Sequence, residues 1–482
     1  MKHEPRSLGV GREVSERNLT ELRKQLRSID SELIRILARR FRLVRRIGLV
    51  KDRLRMGVID PVAEKSVIEN FVTSAVEDGI DQAYARRVAG LVIEGSVDVQ
   101  TSSRRRAVSK DSLLKQLSEM MLRAEKKGRK LIRLDIGEPR FRTPRAVVTE
   151  AKRRLDQTPA MMYGSSAGVT ELTDAIASRL DDQYGTRIDR SNVLIFPGAR
   201  FAIFAAMRSA VSSFERVLLC QPAWPAYESC AALAGARVLT VSTDLGDRWE
   251  INLPALEEQL KLRPKMLIIN NPNNPTGKVW SAKRFQEVVE LASRYRTVVL
   301  SDEVYTSYCS TRVPSVLDYP DIGAIYVNSF SKEFSMTGWR VAYAVADERR
   351  IAKMRAIVET TLTNVPELVQ RAAVAALKDP TREASRARRE ICRRVRIACE
   401  ELRKGDLEFY PPDGGFYIFP RIKKRNMDSE KFGKHLFEKH AVGVLPGSVF
   451  GEYKDFLRLA ITESEAAVKA GIRQIVKAVG EW

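Results

Sequence analysis

Histidine is scarce in this chain of 482 residues: three occur, His3 near the start and His435 and His440 on one charged segment. That leaves little from which to build a Ser-His-Asp triad or a histidine-rich metal site, and no metal is expected. Cysteine is nearly as sparse. Cys220, Cys230, Cys309, Cys392 and Cys399 are odd in number and form no Cys-x-x-Cys pair, so neither a disulfide framework nor a thiolate zinc site is indicated, and a reducing cytoplasmic setting fits. No apolar run approaches the ~18 residues of a membrane span, and the opening MKHEPRSLGVGREVSERN lacks the apolar centre of a secretory leader. Export and a membrane partner are not expected.

What is present is 44% hydrophobic and 30% charged residues, a globular composition over about three lengths of ~150 residues. Lysine plus arginine number 82 against 61 aspartate plus glutamate, a formal +21. The excess divides into +6 over residues 1–105 and +15 over the remaining 377. So dispersed a charge points to anionic small molecules rather than to one nucleic-acid groove.

From Leu19 to Val50 apolar residues recur at 19, 22, 26, 29, 33, 36, 43, 47 and 50, the three-and-four spacing of a helix seam with Arg40 as its one vacancy. A helix of about 35 residues is roughly 50 Å long at 1.5 Å per residue, more than a domain of this size covers by itself. An intertwined dimer is the expectation. A second helix is expected from Asp60-Pro61, an N-cap followed by proline, and a third from about Asp81 to Gln100. Residues 1–16 are read as a flexible tail, 17–100 as the helical domain and 101–109, around the polar QTSSRRRAVS, as a linker.

Beyond the linker short β-rich runs (193–196, 216–219, 266–269, 297–301, 325–327 and 341–345) alternate with helical segments, as in an α/β domain with a largely parallel sheet. Three of these runs end in chemistry. SFSKEFSMTGWR (329–340) places Lys332 just past a strand, with hydroxyls one and three positions earlier and Arg340 eight later; such a lysine can add to a carbonyl beside an anion site. NNPNNPTG (270–277) and SDEVY (301–305) follow two further strands. Ligands bind at the carboxyl ends of parallel strands, so the three motifs are expected to face one crevice.

On these motifs residues 107–482 resemble the class I and II aminotransferases of pyridoxal phosphate (PLP) fold type I. The resemblance implies an α/β fold with a large PLP-binding domain (146–365) and a small domain (110–145 and 366–482). It implies that Lys332 binds PLP, that Asp302 keeps the pyridine nitrogen protonated and so makes the cofactor an electron sink, and that Asn274 and Tyr305 bond its ring oxygen. Trp224, in QPAWPAY, would stack on the ring. The phosphate would be held by Gly198 and Ala199 at a helix N-terminus, by Ser329, Ser331 and Arg340, and by Tyr163, in YGSSAG, from the other subunit. Arg458, in FLRLAIT, matches the arginine that grips a substrate α-carboxylate, with Gly137 of GEP lying against that substrate. Arg200 stands where dicarboxylate-specific relatives place a lysine for the distal carboxylate; a role at the PLP phosphate is its alternative.

The N-terminal helices carry a second polar set. Arg40 interrupts the seam, Lys51 lies three turns on along the same face, and Asp60 with Glu64 and Ser96 with Gln100 are each one turn apart. An anionic ligand or a structural ion-pair network would both account for it. With LRKQLRSID, LARR, DPVAE and EGSVDVQ in order, residues 19–100 resemble an all-helical chorismate mutase. The resemblance implies that Arg23 (reaching the partner's site), Arg40 and Lys51 bind the substrate carboxylates and ether oxygen. Asp60 and Glu64 would hold the ring hydroxyl, Ser96 would approach the ring carboxylate, and Gln100 the ether oxygen. Ala63 departs from the pattern, which has arginine there.

Together these imply a bifunctional homodimeric enzyme of aromatic amino-acid biosynthesis: an all-α three-helix domain that converts chorismate to prephenate, then a PLP-dependent aminotransferase acting on prephenate, an arylpyruvate or a dicarboxylic keto acid, with an amino donor. One alternative keeps the aminotransferase and makes the helical domain a non-catalytic dimeriser or sensor. Another is an aminotransferase-like transcription regulator, which would require a compact helix-turn-helix with short helices.

Overall fold

The computed structural model describes residues 8–53, 61–101, 110–156, 162–378 and 382–482. They fall into two compact units, 1–107 and 108–482.

The first unit is three helices: α1 (Leu8–Arg53), α2 (Pro61–Glu77) and α3 (Gln82–Thr101). Asp81 Oδ1 accepts the Tyr84 N–H at 2.8 Å and starts α3. Gly79, at φ 77°, turns the chain out of α2, a conformation glycine adopts without penalty. Helix α1 has 46 residues and begins inside the segment expected as tail. Residues 8–16 lack apolar periodicity, and the helix extends through them because adding a turn to a formed helix is far easier than starting one. α1 packs on α3 through Val44 and at Gly95, where an added Cβ would stand 2.7 Å from the Phe41 ring. The seam face is left open among the described residues: its nine apolar positions are 47–61% exposed.

In the second unit β1 (Ile132–Arg133) precedes a seven-stranded sheet of β2 (Val193–Phe196), β3 (Arg216–Gln221), β4 (Arg237–Ser242), β5 (Met266–Asn270), β6 (Val298–Asp302), β7 (Ile325–Ser329) and β8 (Ala342–Val345). The strand order is β2-β8-β7-β6-β5-β3-β4. Every pairing is parallel except the two made by β8. β8 departs from the parallel expectation because the stretch from β7 holds only short turns of helix, too little for a crossover that would bring the chain back parallel. Strand β4, a half-exposed edge, was not among the expected strands. Apolar clusters cover both faces, one around Leu172, Ile269 and Phe285, the other around Phe196, Met207 and Met354. The helix Glu367–Lys378, expected with the small domain, puts Ala372, Ala373 and Val374 into the first cluster.

The remaining strands are short: β9 (Leu407–Glu408), β10 (Tyr417–Ile418), β11 (Arg421–Ile422), β12 (Val442–Gly443), β13 (Leu445–Pro446) and β14 (Leu457–Ala460). They pair as β1-β12, β10-β14-β13 and β11-β9 over a core that includes Leu134, Phe432, Leu436 and Ile472. None of the five cysteines forms a disulfide. No described helix is long and apolar enough to cross a membrane, and no cluster of three metal-ligating side chains occurs among the described residues.

Candidate active site

Sheet register assembles the site. Asn270 at the end of β5 stands beside Asp302 at the end of β6, and Asp302 beside Val327 of β7. The three motifs therefore open into one cavity of about 540 Å³, lined among others by Gly137, Ala199, Arg200, Trp224, Asn274, Asp302, Tyr305, Ser329, Ser331, Lys332, Arg340 and Arg458.

Lys332 lies in a one-turn helix, Phe330–Glu333, capped by the Ser329 hydroxyl, which accepts the Ser331 N–H at 3.0 Å. Its Nζ donates to the Gly137 carbonyl at 2.6 Å. Burial lowers the amine to about 8, with the charges of Arg458 and Arg340 adding to the effect and those of Glu138 and Asp302 opposing it. A substantial neutral fraction at mildly alkaline pH makes it a nucleophile and a base.

Asp302 is 2% exposed. Its Oδ2 accepts the Tyr227 hydroxyl at 2.6 Å, while Oδ1 is buried with no partner. Burial pushes the carboxyl up to about 6, against hydrogen bonds from Tyr227 and the Val304 backbone. Asn274 Nδ2 donates to the Tyr305 hydroxyl at 3.3 Å, its backbone N–H to Asn270 Oδ1 at 2.7 Å, and its Oδ1 is likewise buried and unpartnered. Asn270 in turn donates to the Asp302 carbonyl at 2.9 Å, tying the two strand ends together.

At the far end the Ser329 hydroxyl donates to Ser331 Oγ at 2.8 Å. Arg340, in the left-handed region at φ 59°, bonds two carbonyls, Thr337 at 2.9 Å and Pro197 at 3.3 Å. Gly198 (φ 101°) precedes the helix Ala199–Ala210, and a Cβ there would lie 2.1 Å from the Arg340 guanidinium. Two arginines, two hydroxyls and the N–H groups at a helix start make this end suited to an anion. Arg200 lies over the Trp224 ring at 4.6 Å, and Trp224 meets Tyr227 edge to face.

Arg458, 4% exposed, donates to the Asp135 carbonyl and sits between the rings of Tyr417 (4.7 Å) and Phe450 (5.4 Å). Its Nε is buried without a partner. A guanidinium so enclosed is costly unless an anion meets it. Tyr163, 88% exposed, takes no part in this cavity within its own chain.

The sequence reading passed over Tyr227, Asn270 and Tyr417. Tyr227 sits three residues after Trp224, across the turn that starts the helix Ala226–Leu233, and its N–H donates to the Trp224 carbonyl at 3.0 Å. Tyr417 had no signal: it arrives on β10, and only the fold shows that its hydroxyl lies 3.3 Å from that of Tyr305 and would meet a Cβ on Gly137 at 1.9 Å.

In the N-terminal unit Arg40 donates to the Ser96 hydroxyl and to the Val92 carbonyl (3.3 Å). Among the described residues it bonds no carboxylate, and burial pulls its pKa down. Glu64 and Ser96 are buried, Lys51 is half-buried and Arg23 is exposed. Gln100 lies in the last turn of α3, and Asp60 falls outside the described residues.

Comparison with known proteins bears on both units. Residues 129–475 match the family described as Aminotransferase class I and II, and residues 22–101 the one described as Chorismate mutase type II. An aspartate aminotransferase of Sulfolobus acidocaldarius is 33% identical over 371 residues, 74% of this chain and 92% of that protein. A probable aspartate/prephenate aminotransferase of Aquifex aeolicus is 31% identical over 366 residues, 74% of this chain and 92% of that protein. The crystal structure of an aspartate aminotransferase of Thermotoga maritima superposes with a TM-score of 0.70 at 32% identity, covering 75% of this chain and 95% of the other. With the lysine, the aspartate and the buried arginine gathered at one crevice, the chain belongs to the class I and II aminotransferases and is an enzyme that joins a chorismate mutase domain to an aminotransferase domain.

Proposed function

We propose that the protein converts chorismate to prephenate in its helical unit and transfers an amino group to prephenate in its second unit, as a homodimer of a reducing compartment with PLP as cofactor. The observation that carries the aminotransferase half is that Asp302, Asn274 and Arg458, which line the same cavity as Lys332, each keep a buried polar atom without a partner: Oδ1, Oδ1 and Nε. Such orphans are rare in a folded protein and call for partners. PLP fits them: Asp302 would hold its pyridinium nitrogen, Asn274 and Tyr305 its ring oxygen, Trp224 its face, and Gly198, Ala199, Ser329, Ser331, Arg340 and the partner subunit's Tyr163 its phosphate. When bound, the cofactor supplies an electron sink for the substrate's α-carbon.

The protein's own groups do the rest. Arg458 clamps the α-carboxylate and so sets which face of the substrate meets Lys332. Lys332 Nζ holds the cofactor and, once released, moves the proton of the donor's α-carbon, for which a pKa near 8 is suitable. Prephenate carries a second carboxylate, and Arg200, on the same cavity, is the cation for it.

In the helical unit Arg40, Lys51 and the partner's Arg23 would clamp chorismate's carboxylates, with Glu64 and Asp60 on its hydroxyl and Gln100 on the ether oxygen. The reaction is unimolecular, so holding a compact dianion and stabilising charge on the breaking C–O bond is the whole task. The Arg40–Ser96 contact between α1 and α3 supports a preformed clamp. The exposed seam of α1 and its 46-residue length support a second copy as its cover.

The deciding experiment supplies purified, cofactor-loaded protein with chorismate, and separately with prephenate, phenylpyruvate and oxaloacetate as acceptors. Chorismate consumption together with preferred amination of prephenate is expected. A protein that aminates every acceptor yet consumes no chorismate would make the helical unit a dimeriser.

A further inference from the structure

The second unit holds another cavity, of about 310 Å³, at the lower end of the range that holds small organic ligands. The segment bearing Lys332 separates the two: Ser329, Ser331 and Lys332 line the first, Asn328 and Glu333 the second. Its ionised lining is three arginines and one glutamate. Arg179 donates to Glu333 Oε1 at 2.6 Å, and Arg312 is held by Asp318 with its guanidinium 5.3 Å from the Tyr184 ring. Arg388, on the exposed surface of the helix Arg382–Leu402, makes no ion pair with a described residue. Ser307 contributes a buried hydroxyl without a hydrogen-bond partner. Tyr184 and Tyr326 supply aromatic wall. None of these groups serves the chemistry at Lys332.

We propose that this cavity binds a small aromatic carboxylate, its charge met by Arg388 and Arg179 and its ring by the tyrosines. A cation with no acid among the described residues, a buried hydroxyl with no partner and aromatic walls around one cavity are what such a ligand needs. Occupancy reaches the catalytic cavity through short links. A carboxylate on Arg179 competes with Glu333, the neighbour of Lys332, and Tyr308, between the lining residues Ser307 and Cys309, donates to the Lys332 carbonyl at 2.8 Å. The site is thus placed to bias the position of the reactive amine.

The test uses titration calorimetry with 4-hydroxyphenylacetate, which has no amino or keto group to exchange. It is run on the cofactor-loaded full chain carrying Arg458→Ala and Arg40→Ala, which silence the two proposed active sites. One equivalent per chain is expected to bind. Adding Arg388→Glu should weaken it at least about tenfold, the scale of one charged hydrogen bond, and Ser307→Leu should fill the cavity and abolish it. In wild-type protein the probe should shift the pH midpoint of the cofactor's absorbance. No binding in the silenced background, or binding indifferent to both Arg388→Glu and Ser307→Leu, overturns the proposal. Two equivalents there, one of them lost with Arg388→Glu, would unseat the role given to Arg458 or Arg40 and leave this cavity standing.

Discussion

The two units dispose of their apolar surface in opposite ways. The C-terminal unit buries its large side chains in clusters on both faces of one sheet, and nearly every proposed site residue enters one cavity of the same chain. The N-terminal unit leaves a helix-long apolar seam in the open, and Arg23 stands exposed, away from the Arg40–Ser96 contact. On the proposed reading, the first activity draws all its groups but the partner subunit's Tyr163 from one chain, whereas the second needs groups from two.

The largest test of that division is Lys332→Ala. Transamination should fall by at least ~1,000-fold, as when a residue that bonds its substrate covalently is removed, while chorismate turnover is untouched. Borohydride treatment followed by peptide mass analysis should place the cofactor on Lys332 in wild-type protein, and undiminished transamination by the variant would refute its role. Next, Arg40→Ala should cost chorismate turnover ~100- to 1,000-fold, typical of a lost transition-state donor, with transamination rates preserved. A parallel loss of both activities would erase the distinction between the units.

Leu33→Glu is aimed at the seam itself. Each subunit would lose roughly 1.5–3 kcal/mol of burial and present a charge to its partner. Sedimentation should show association weakened, and chorismate turnover should become dependent on protein concentration. A smaller effect is expected of Arg200→Met: dicarboxylate acceptors such as prephenate and oxaloacetate lose about 1.5–3 kcal/mol in kcat/KM, and phenylpyruvate is spared. Equal losses on all acceptors would return Arg200 to the cofactor phosphate.

The least effect concerns stability. Burial pushes Glu303 up to about 8 from its ordinary 4.5, so the folded chain keeps a proton that the unfolded chain gives up. This contribution is complete below pH 4.5 and is lost as pH rises through 8. Glu303→Gln should therefore flatten the decline in chemical-denaturation midpoint between pH 5 and 8.5; an unchanged slope would mean that the carboxyl is ionised in the folded protein.

Much of the catalytic crevice was legible because its residues stand at strand ends, where a hydrophobic run stops and a Gly-, Asn- or Lys-bearing turn begins. Asn274, Asp302 and Lys332 could be placed together from sequence for that reason. Tyr417 could not, because it meets the site from β10, a short strand whose two residues carry no periodicity. The antiparallel turn of β8 was hidden for a related cause: Val341–Val345 reads the same in either direction. In α1 the seam foretold the helix but not its extension to Leu8, since polar residues add to a helix without leaving a pattern. The second cavity left no trace at all, being assembled from five separate segments.

The meeting of Gly198 and Arg340 has a genetic consequence. The arginine, in a left-handed backbone, occupies the space where any side chain at 198 would begin. Neither position is free to drift while the other stays. In a library randomised at both, clones that keep arginine at 340 should return glycine at 198, whereas loss of the arginine removes the steric half of the constraint and leaves only the strained φ to select against other residues. The two sites, 142 positions apart in the chain, would then behave in selection as a single locus.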